Sequence, residues 1–193
     1  MTKKQIIKKT LLKKKKKIWI PIYASDKFNN AEIGESLVED VNFLLNKTIS
    51  VNGANLTGDL KKQNVKLVFF VDEIRDNRAI SKVVGYEMVS SFIRRIVRKA
   101  RSKVEDSLIL TTQDNVKVRI KPLILTKTET KSSILKAIRR AMIEFLNDLF
   151  KKTDYEDILL QLINHSLQFN LKASIKKIYP IGLAEIRVLK RLK

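Results

Sequence analysis

The sequence predicts an α+β fold, with an antiparallel sheet or barrel flanked by helices. Runs of β-branched and aromatic residues recur over the first two thirds of the chain, whereas apolar residues at helical spacing dominate the last third. The resulting order of strands, helix, hairpin and helices is typical of the α+β class. The length of 193 residues and an apolar content of 44% favour one domain, residues 18–193, preceded by a basic extension, residues 1–17.

The first strand is predicted at residues 18–23, where isoleucine alternates with Trp19, Pro21 and Tyr23. Because proline cannot donate a backbone hydrogen bond, Pro21 indicates either that this strand lies at a sheet edge or that Pro21 is near the start of the strand. Trp19 and Tyr23 then share one face of the strand. They either stack on an unpaired base or pack beneath a loop.

A buried strand is predicted at residues 65–71, which are apolar on both faces. A turn at Asp76–Asn77 leads into a partner strand at residues 79–84, which Gly85 is expected to end at a bulge. Asn52–Gly53 marks an earlier turn.

A helix over residues 89–104 follows, and after it a hairpin of residues 107–112 and 116–125. Three more helices are expected, over residues 132–152, 154–170 and 171–179. Ser132 or Ser133 would cap the first of them, and Asp154 with Asp157 would form a capping box for the second. Pro180 ends the third helix, and a partly extended, basic tail follows it.

The charge of the chain is large and unevenly distributed. Forty Lys and Arg residues against twenty Asp and Glu residues give a formal charge of +20. Residues 1–17 contribute +9 with no acid, residues 18–80 contribute −2, and residues 81–130 and 131–193 contribute +6 and +7. So large an excess repels itself in the compact state and favours a polyanionic partner. A lysine-rich compositional bias would explain the lysine runs, but it would not explain the clustered arginines.

Composition also disfavours several classes of function. Cysteine is absent and His165 is the single histidine, so we expect no metal centre and no cofactor. We expect no contact with a membrane, because no segment has the length of a membrane span and the apolar stretch after Lys17 is too short for a secretion signal. His165 follows Ile158 and Leu162 at helical spacing, which predicts a histidine at the edge of the core. The expected protein is therefore cytosolic and bound to nucleic acid.

An acidic cluster keeps one enzymatic alternative open. Asp72, Glu73 and Asp76 lie close together in the sequence and could hold the metal of a nuclease. Acids at a hairpin turn are nevertheless common for backbone reasons, and the cluster lacks a histidine at metal-ligand spacing. We therefore predict that the chain is not an enzyme.

The segment at residues 89–104 carries the sharpest signal of nucleic-acid binding. At 100° per residue, its apolar side chains fall on one arc and its cations on the opposite arc. We expect the cations to bind phosphate, because arginine offers a planar fork that makes two hydrogen bonds to one phosphate. The alternative is a solvated face, although such faces usually mix the two signs of charge. The cations are Arg94, Arg95, Arg98, Lys99, Arg101 and, at the border, Lys103; the apolar residues are Phe92, Ile93, Ile96, Val97, Ala100 and Val104.

Three other groups of cations are candidates for RNA contact. In the strand of residues 116–120, cations alternate with core residues, which suits either RNA or an edge strand protected by charge. The helix over residues 132–152 begins with cations, either as a phosphate site or as an ordinary bundle helix. The extension is expected to be disordered in the free protein and ordered on RNA. These candidates are Lys117, Arg119 and Lys121 in the strand; Lys131, Lys136, Arg139 and Arg140 at the helix; and Lys3, Lys4, Lys8, Lys9, Lys13, Lys14, Lys15, Lys16 and Lys17 in the extension.

Several segments together resemble the S-one-e family of archaeal and eukaryotic small-ribosomal-subunit proteins, called S-three-a in eukaryotic usage. They occur in the order of the family and cover nearly the whole chain. In the first half they are Lys17–Ile18–Trp19 through Ile33–Gly34–Glu35, Leu56–Thr57–Gly58–Asp59 with Gln63, Val65–Lys66–Leu67 and Val84–Gly85–Tyr86–Glu87. In the second half they are Thr111–Thr112 with Asp114, Val118–Arg119–Ile120–Lys121–Pro122–Leu123, Lys176–Lys177–Ile178–Tyr179–Pro180–Ile181 and Glu185–Ile186–Arg187. Gly182–Leu183 stands where the family often has a basic pair.

The resemblance implies a structural ribosomal protein with a β-barrel-like core and flanking helices. It implies a place in the cytoplasm, on the platform of the small subunit, near the 3′ end of the ribosomal RNA and the messenger RNA exit. The implied partners are small-subunit ribosomal RNA, bound by the extension and the basic faces, and neighbouring small-subunit proteins, with messenger RNA near the exit as a further candidate. The alternative function is a free-standing basic nucleic-acid-binding protein of chromatin or translation-factor type.

Overall fold

The structure, a computed structural model, describes residues 16–28, 30–76 and 78–192. These residues form nine strands and five α-helices, which confirms the predicted α+β class. The strands are β1 Ile18–Tyr23, β2 Glu32–Val38, β3 Thr48–Asn52, β4 Val65–Arg75, β5 Arg78–Met88, β6 Lys103–Glu105, β7 Leu108–Thr111, β8 Lys117–Thr126 and β9 Ile181–Arg191. The helices are α1 Gly53–Thr57, α2 Ser90–Ile96, α3 Ser132–Lys152, α4 Tyr155–Ile163 and α5 Ser166–Lys176.

All of these strands belong to one sheet. Its main path runs β2-β1-β5-β9-β8-β6, while β3 and β4 extend from β5, and β7 pairs with β8. Neighbouring strands are antiparallel, except that β1 and β5 pair in parallel at Ile22 with Ala79 and at Tyr23 with Ile80. The prediction of a barrel-like core is wrong, because β2 and β6, the two end strands of the path, do not pair within the described residues. β4 pairs along the length of β5 on one side, whereas β1 and β9 pair with different stretches of its other side, so the sheet branches at β5 and stays open.

The α3, α4 and α5 helices cover one face of the sheet and enclose the main core. Strand side chains on this face, among them Phe69, Tyr86, Ile120 and Leu189, are almost fully buried. They pack in one cluster with apolar side chains from these helices, namely Ile138, Met142, Leu146, Phe150, Ile158, Leu162, Leu167, Leu171 and Ile175. Burial of this apolar surface is the main force that holds the helices on the sheet. We call the opposite side of β3, β4, β5, β9 and β8 the outer face.

Local alternation predicted several strands well. β1, β4 and the hairpin of β7 and β8 lie where they were expected. β5 does not end at Gly85 but continues to Met88, because a register shift opposite Val68 and Phe69 restores its pairing with β4. The tail after Pro180 is more ordered than expected, since β9 is an 11-residue strand between β5 and β8.

The predicted helices in the last third are correct in part. α3 spans the predicted range, but its N-cap position is Lys131 and neither serine caps it. The helix expected over residues 154–170 is divided at His165, whose backbone is left-handed with φ of 59°. His165 therefore lies at the junction of α4 and α5, with a side chain that is partly exposed, so its predicted position on the face of one helix is wrong. Asp154 precedes α4 without a side-chain capping bond, so the predicted capping box is also wrong.

The largest departure is the segment that was expected to be one helix over residues 89–104. α2 ends at Ile96, residues 97–102 are irregular, and Val104 lies in β6. Pairing of β6 with β8 buries Val104 opposite Ile124, which competes successfully with the helical periodicity. The apolar arc therefore divides, with Ala100 exposed and the apolar side chains of α2 half-buried.

Candidate nucleic-acid interface

The extension contributes two described cations to the candidate interface. Lys16 and Lys17 are exposed and lead directly into β1. Seven candidate lysines lie outside the described residues, and so does the prediction that the extension orders on RNA. They are Lys3, Lys4, Lys8, Lys9, Lys13, Lys14 and Lys15.

The arginine-rich segment presents its cations to solvent although it is not the expected long helix. Arg94 and Arg95 lie in the last turn of α2, and the remaining cations follow in the irregular stretch. Arg95 also lies over the ring of Phe92, at 5.3 Å from its centroid. We call Arg94, Arg95, Arg98, Lys99 and Arg101 the basic segment; all five are exposed, and none forms an ion pair with a described residue.

Glu105 distinguishes Lys103 from the basic segment. Lys103 Nζ lies 3.0 Å from Glu105 Oε2, and Arg187 binds the other carboxylate oxygen. Partial burial by itself would raise the pKa of Glu105, but the hydrogen bonds from Lys103 and Arg187 outweigh it and lower that pKa. The carboxylate therefore stays charged, and it competes with any phosphate for Lys103.

The start of α3 lies beside the basic segment. The amide of Thr130 donates to Ser102 Oγ at 3.0 Å, and the amide of Ser102 donates to Thr126 Oγ1 at 3.0 Å. These bonds join the end of the irregular stretch to the residues before α3, so the structure brings together two groups that the sequence offered separately. In the α3 group, Lys131, Lys136 and Arg140 are exposed and unpaired among the described residues, whereas Arg139 Nε lies 2.8 Å from Asp106 Oδ2.

Sequence reasoning missed further cations near this position. The amide of Lys127 donates to the carbonyl of Pro180 at 3.1 Å, and Thr128 Oγ1 lies 2.9 Å from the Tyr179 hydroxyl. These contacts bring the exposed Lys176 and Lys177 toward the same end of the sheet. The adjacent lysines before Tyr179 were the signal that could have identified them.

At the position where the family often has a basic pair, the backbone of Gly182 is already bonded. Lys172 Nζ donates to the carbonyl of Gly182 at 2.9 Å. Gly182 also lies at a register shift between β8 and β9.

β8 shows the predicted alternation of cations and core residues. Lys117 and Arg119 are exposed, Lys121 is half-buried, and Val118 and Ile120 between them are completely buried. β8 pairs with β7 and β9 on its two sides over this stretch, so the alternative of an edge strand protected by charge is wrong.

The aromatic side chains of β1 are in different surroundings. Trp19 is 65% exposed and lies opposite Leu37 of β2, so it does not pack beneath a loop. Tyr23 is half-buried, and the guanidinium of Arg78 lies 5.7 Å from the centroid of its ring. Base stacking by Trp19 stays a prediction.

Two of the three acids in the cluster near the turn between β4 and β5 form ion pairs. Lys82 Nζ lies 2.6 Å from Asp72 Oδ2, and Arg75 pairs with Glu73. Over residues 16–28, 30–76 and 78–192, no group of histidine and acidic side chains is arranged to hold a metal ion. None of the helices described is long and apolar enough to cross a membrane.

Comparison with known proteins identifies relatives along almost the whole chain. The model of the Ribosomal S3Ae family matches residues 5–193. A protein of Halorubrum lacusprofundi named small ribosomal subunit protein eS1 is 30% identical over 176 residues, which is 91% of this chain and 82% of that protein. Proteins of the same name from Methanothermobacter thermautotrophicus and Nanoarchaeum equitans are 30% and 31% identical, over 89% and 86% of this chain and 88% and 84% of their own lengths.

Proposed function

The chain belongs to the ribosomal S3Ae family, and on this premise we propose that it is a structural component of the small ribosomal subunit. In this proposal it binds small-subunit ribosomal RNA and neighbouring ribosomal proteins, and it catalyses no reaction. The observation that carries the proposal is the family match over residues 5–193 in a chain of charge +20.

RNA binding of this kind depends on the neutralisation of phosphates by exposed cations. Each phosphate that a Lys or Arg neutralises releases condensed counterions, which favours binding at low salt. The exposed, unpaired cations of the basic segment and of the start of α3 are adjacent, so one stretch of RNA backbone can contact both. We propose these cations, the lysines of residues 1–17 and the β8 cations as the RNA contacts.

Lys103 and Arg139 contribute less than the other candidates. Each already pairs with a carboxylate of its own chain, Glu105 and Asp106 respectively. Release from that partner would cost part of the energy gained on binding to phosphate.

The proposal extends to position and organisation. By family resemblance, the protein lies in the cytoplasm on the platform of the small subunit, near the 3′ end of the ribosomal RNA and the messenger RNA exit. Residues 18–193 act as one folded unit, and residues 1–17 act as an RNA-binding extension. Messenger RNA near the exit is a further proposed contact.

Co-sedimentation tests the proposed function. The full chain, labelled with a fluorophore, is mixed with archaeal small subunits and separated on a sucrose gradient at moderate salt. We expect it to migrate with the small subunit and to protect specific segments of the ribosomal RNA from hydroxyl radicals. Migration at the top of the gradient, with equal binding to unrelated RNA and DNA, would support the free-standing nucleic-acid-binding protein instead.

A nuclease is the weaker alternative. Asp72 and Glu73 already pair with Lys82 and Arg75, so their charges are not directed together toward a metal ion. RNA cleavage that requires a divalent metal and disappears in Asp72→Ala would be needed to support it.

A further inference from the structure

The outer face of the sheet contains a groove that the candidate interface does not include. The groove has a volume of about 780 Å³, and it lies over β3, β4 and β5 beside the end of β9. Half-buried Phe70 and Val84 contribute apolar surface to it. A smaller hollow of about 140 Å³ adjoins it at Val84 and Lys190, and this hollow is lined by Val68 and Val188 as well. Lys82 and Lys190 line the groove as well, so it combines apolar surface with positive charge.

A separation between β5 and β9 creates the groove. The two strands pair over residues 85–87 of β5, whereas β9 continues beside β8 as far as Arg191. β1 pairs with β5 at Ala79 and Ile80. Residues 81–84 of β5 therefore border the groove on one side and the end of β9 borders it on the other.

Cations rim this groove at positions where they repel one another. Arg119 of β8 lies directly opposite Lys190 of β9, and like charges in that position destabilise a sheet. Lys117, Arg119 and Lys121 alternate along β8, so they recur about every 6.7 Å. Lys82 is paired with Asp72. Lys190, Arg191 and the three β8 cations form no ion pair with a described residue.

We propose that this groove binds single-stranded RNA, with a base against Phe70 and Val84 and with phosphates on Lys190 and Arg119. The proposal rests on the proposed function and names the kind of RNA that this surface would take. A single strand offers unpaired bases to an apolar surface and one negative charge per nucleotide to a row of cations. Duplex RNA offers the charges but not the bases. The extension of this chain, with nine lysines and no acid, would be repelled by the same cations.

The experiment measures binding of a fluorescein-labelled oligouridine, with duplex RNA of equal length as the second probe. Phe70→Ala removes the aromatic surface, and we expect it to lower the affinity for oligouridine at least fivefold while the affinity for the duplex is unchanged. Arg119→Gln combined with Lys190→Gln, which changes two cations that lie opposite each other on the outer face, should reduce the salt slope of oligouridine binding by about 1.4. Leu60→Ala is the control for Phe70→Ala, because Leu60 is an exposed apolar residue in a 3-10 turn. Lys151→Gln with Lys152→Gln, at the end of α3, is the control for the cation variant. Both controls should leave the affinity for oligouridine and its salt slope unchanged.

A second readout does not depend on removing a side chain from the sheet. Phe70→Trp in a Trp19→Phe background places the single tryptophan of the chain in the groove. We expect oligouridine to quench its fluorescence, and we expect Arg119→Gln with Lys190→Gln in the same background to weaken the quenching. Circular dichroism melting verifies that each variant is folded.

The outcomes separate this proposal from the proposed function. Unchanged oligouridine binding in the Phe70→Ala variant, together with no quenching of the introduced tryptophan, would overturn the groove proposal. Quenching by a glutamate-rich peptide but not by oligouridine would also overturn it and would indicate an acidic protein partner. In either case, wild-type protein that still migrates with small subunits would leave the proposed function standing.

Discussion

Glu185 of β9 is largely buried, with a side chain only 12% exposed. Burial raises the pKa of Glu185 to about 7, and the neighbouring Gln168 amide and the charge of Lys172 offset this only in part. Tyr86 is also buried, and its own burial together with the charge of Glu185 raises the pKa of the Tyr86 hydroxyl. His165 Nδ1 lies 4.0 Å from the Glu185 carboxylate, but burial and the nearby Lys62 lower the pKa of His165. The carboxyl of Glu185 is therefore held without a strong cationic partner.

The free energy of unfolding should decrease as the pH rises from about 4.5 to about 7, because Glu185 then becomes charged in the folded state. A carboxyl whose pKa is raised on folding is neutral in both states below 4.5, and its charge penalises the folded state fully above about 7. Glu185→Gln removes the ionisation, so above pH 7 its free energy of unfolding should exceed that of the wild type by about 1–3 kcal/mol. Urea denaturation followed by circular dichroism across the pH range measures the difference.

Two further variants make the Glu185 prediction specific. Glu144→Gln removes an exposed carboxylate of α3 and should leave the pH dependence of the wild type intact. His165→Gln removes the group whose lowered pKa acts in the opposite direction, since its contribution to stability is lost as the pH falls. Parallel pH curves for wild type and Glu185→Gln would contradict the prediction.

Among the elements, β9 joins the two halves of the sheet. It pairs with β5 on one side and with β8 on the other, and it places Ala184, Ile186 and Leu189 in the main core. Ile181 packs in the same core and Glu185 is largely buried, whereas Val188 and Lys190 line the outer face. A strand in this position contributes to stability mainly through its inward residues.

Two substitutions in β9 should therefore differ in cost. Ile186→Ala empties a fully buried position and should lower the free energy of unfolding by about 2–4 kcal/mol. Val188→Ala removes a half-buried side chain on the outer face and should cost less than about 1 kcal/mol. Equal losses in urea denaturation would show that β9 does not divide its faces in this way.

The basic segment is the second element whose role can be measured. Arg94→Gln, Arg98→Gln and Arg101→Gln together remove three exposed cations that pair with no described carboxylate. If all three contact phosphate, the salt slope of binding to small-subunit RNA should fall by about 2–3. The melting temperature should hold or rise, because repulsion between like charges is relieved. Filter binding at several salt concentrations measures the slope, with Lys151→Gln and Lys152→Gln as the control.

An unchanged slope in the triple variant would contradict RNA contact by the basic segment. RNA binding would then depend on the extension, on the start of α3 and on the outer face.

At the scale of the whole molecule, the charge is segregated along the chain. Residues 18–80 carry −2, whereas the extension and the second half of the chain carry the entire positive excess. Such a distribution orients a protein on a polyanion and raises its association rate.

The extension should account for a large part of the salt dependence. Replacement of its seven lysines before Lys16 by glutamine leaves the length of the chain unchanged and removes seven charges. If each lysine contacts phosphate, the salt slope of binding to small-subunit RNA should fall by about 5. Filter binding with the full chain tests this prediction, and a slope equal to that of the wild type would exclude the extension from the RNA contact.

The sequence by itself determined the α+β class, the charge distribution, the family and the elements whose pattern is local. The alternation of Val118 and Ile120 with cations located β8, and apolar residues at helical spacing located α3. These properties depend on neighbours within a few residues, so periodicity is enough to read them. The cations of β8 were recognised in the same way, as charges that alternate with buried residues.

Only the tertiary structure decided where the ambiguous segments end and which cations are free. Pairing with β8 moved Val104 from the expected helix into a strand, and pairing with two strands at once ordered the tail as β9. Arg139 forms an ion pair with Asp106, which lies 33 positions earlier in the chain. Arg119 of β8 lies directly opposite Lys190 of β9. Contacts between distant parts of the chain carry no local period, and they contribute more free energy than helix or strand propensity does.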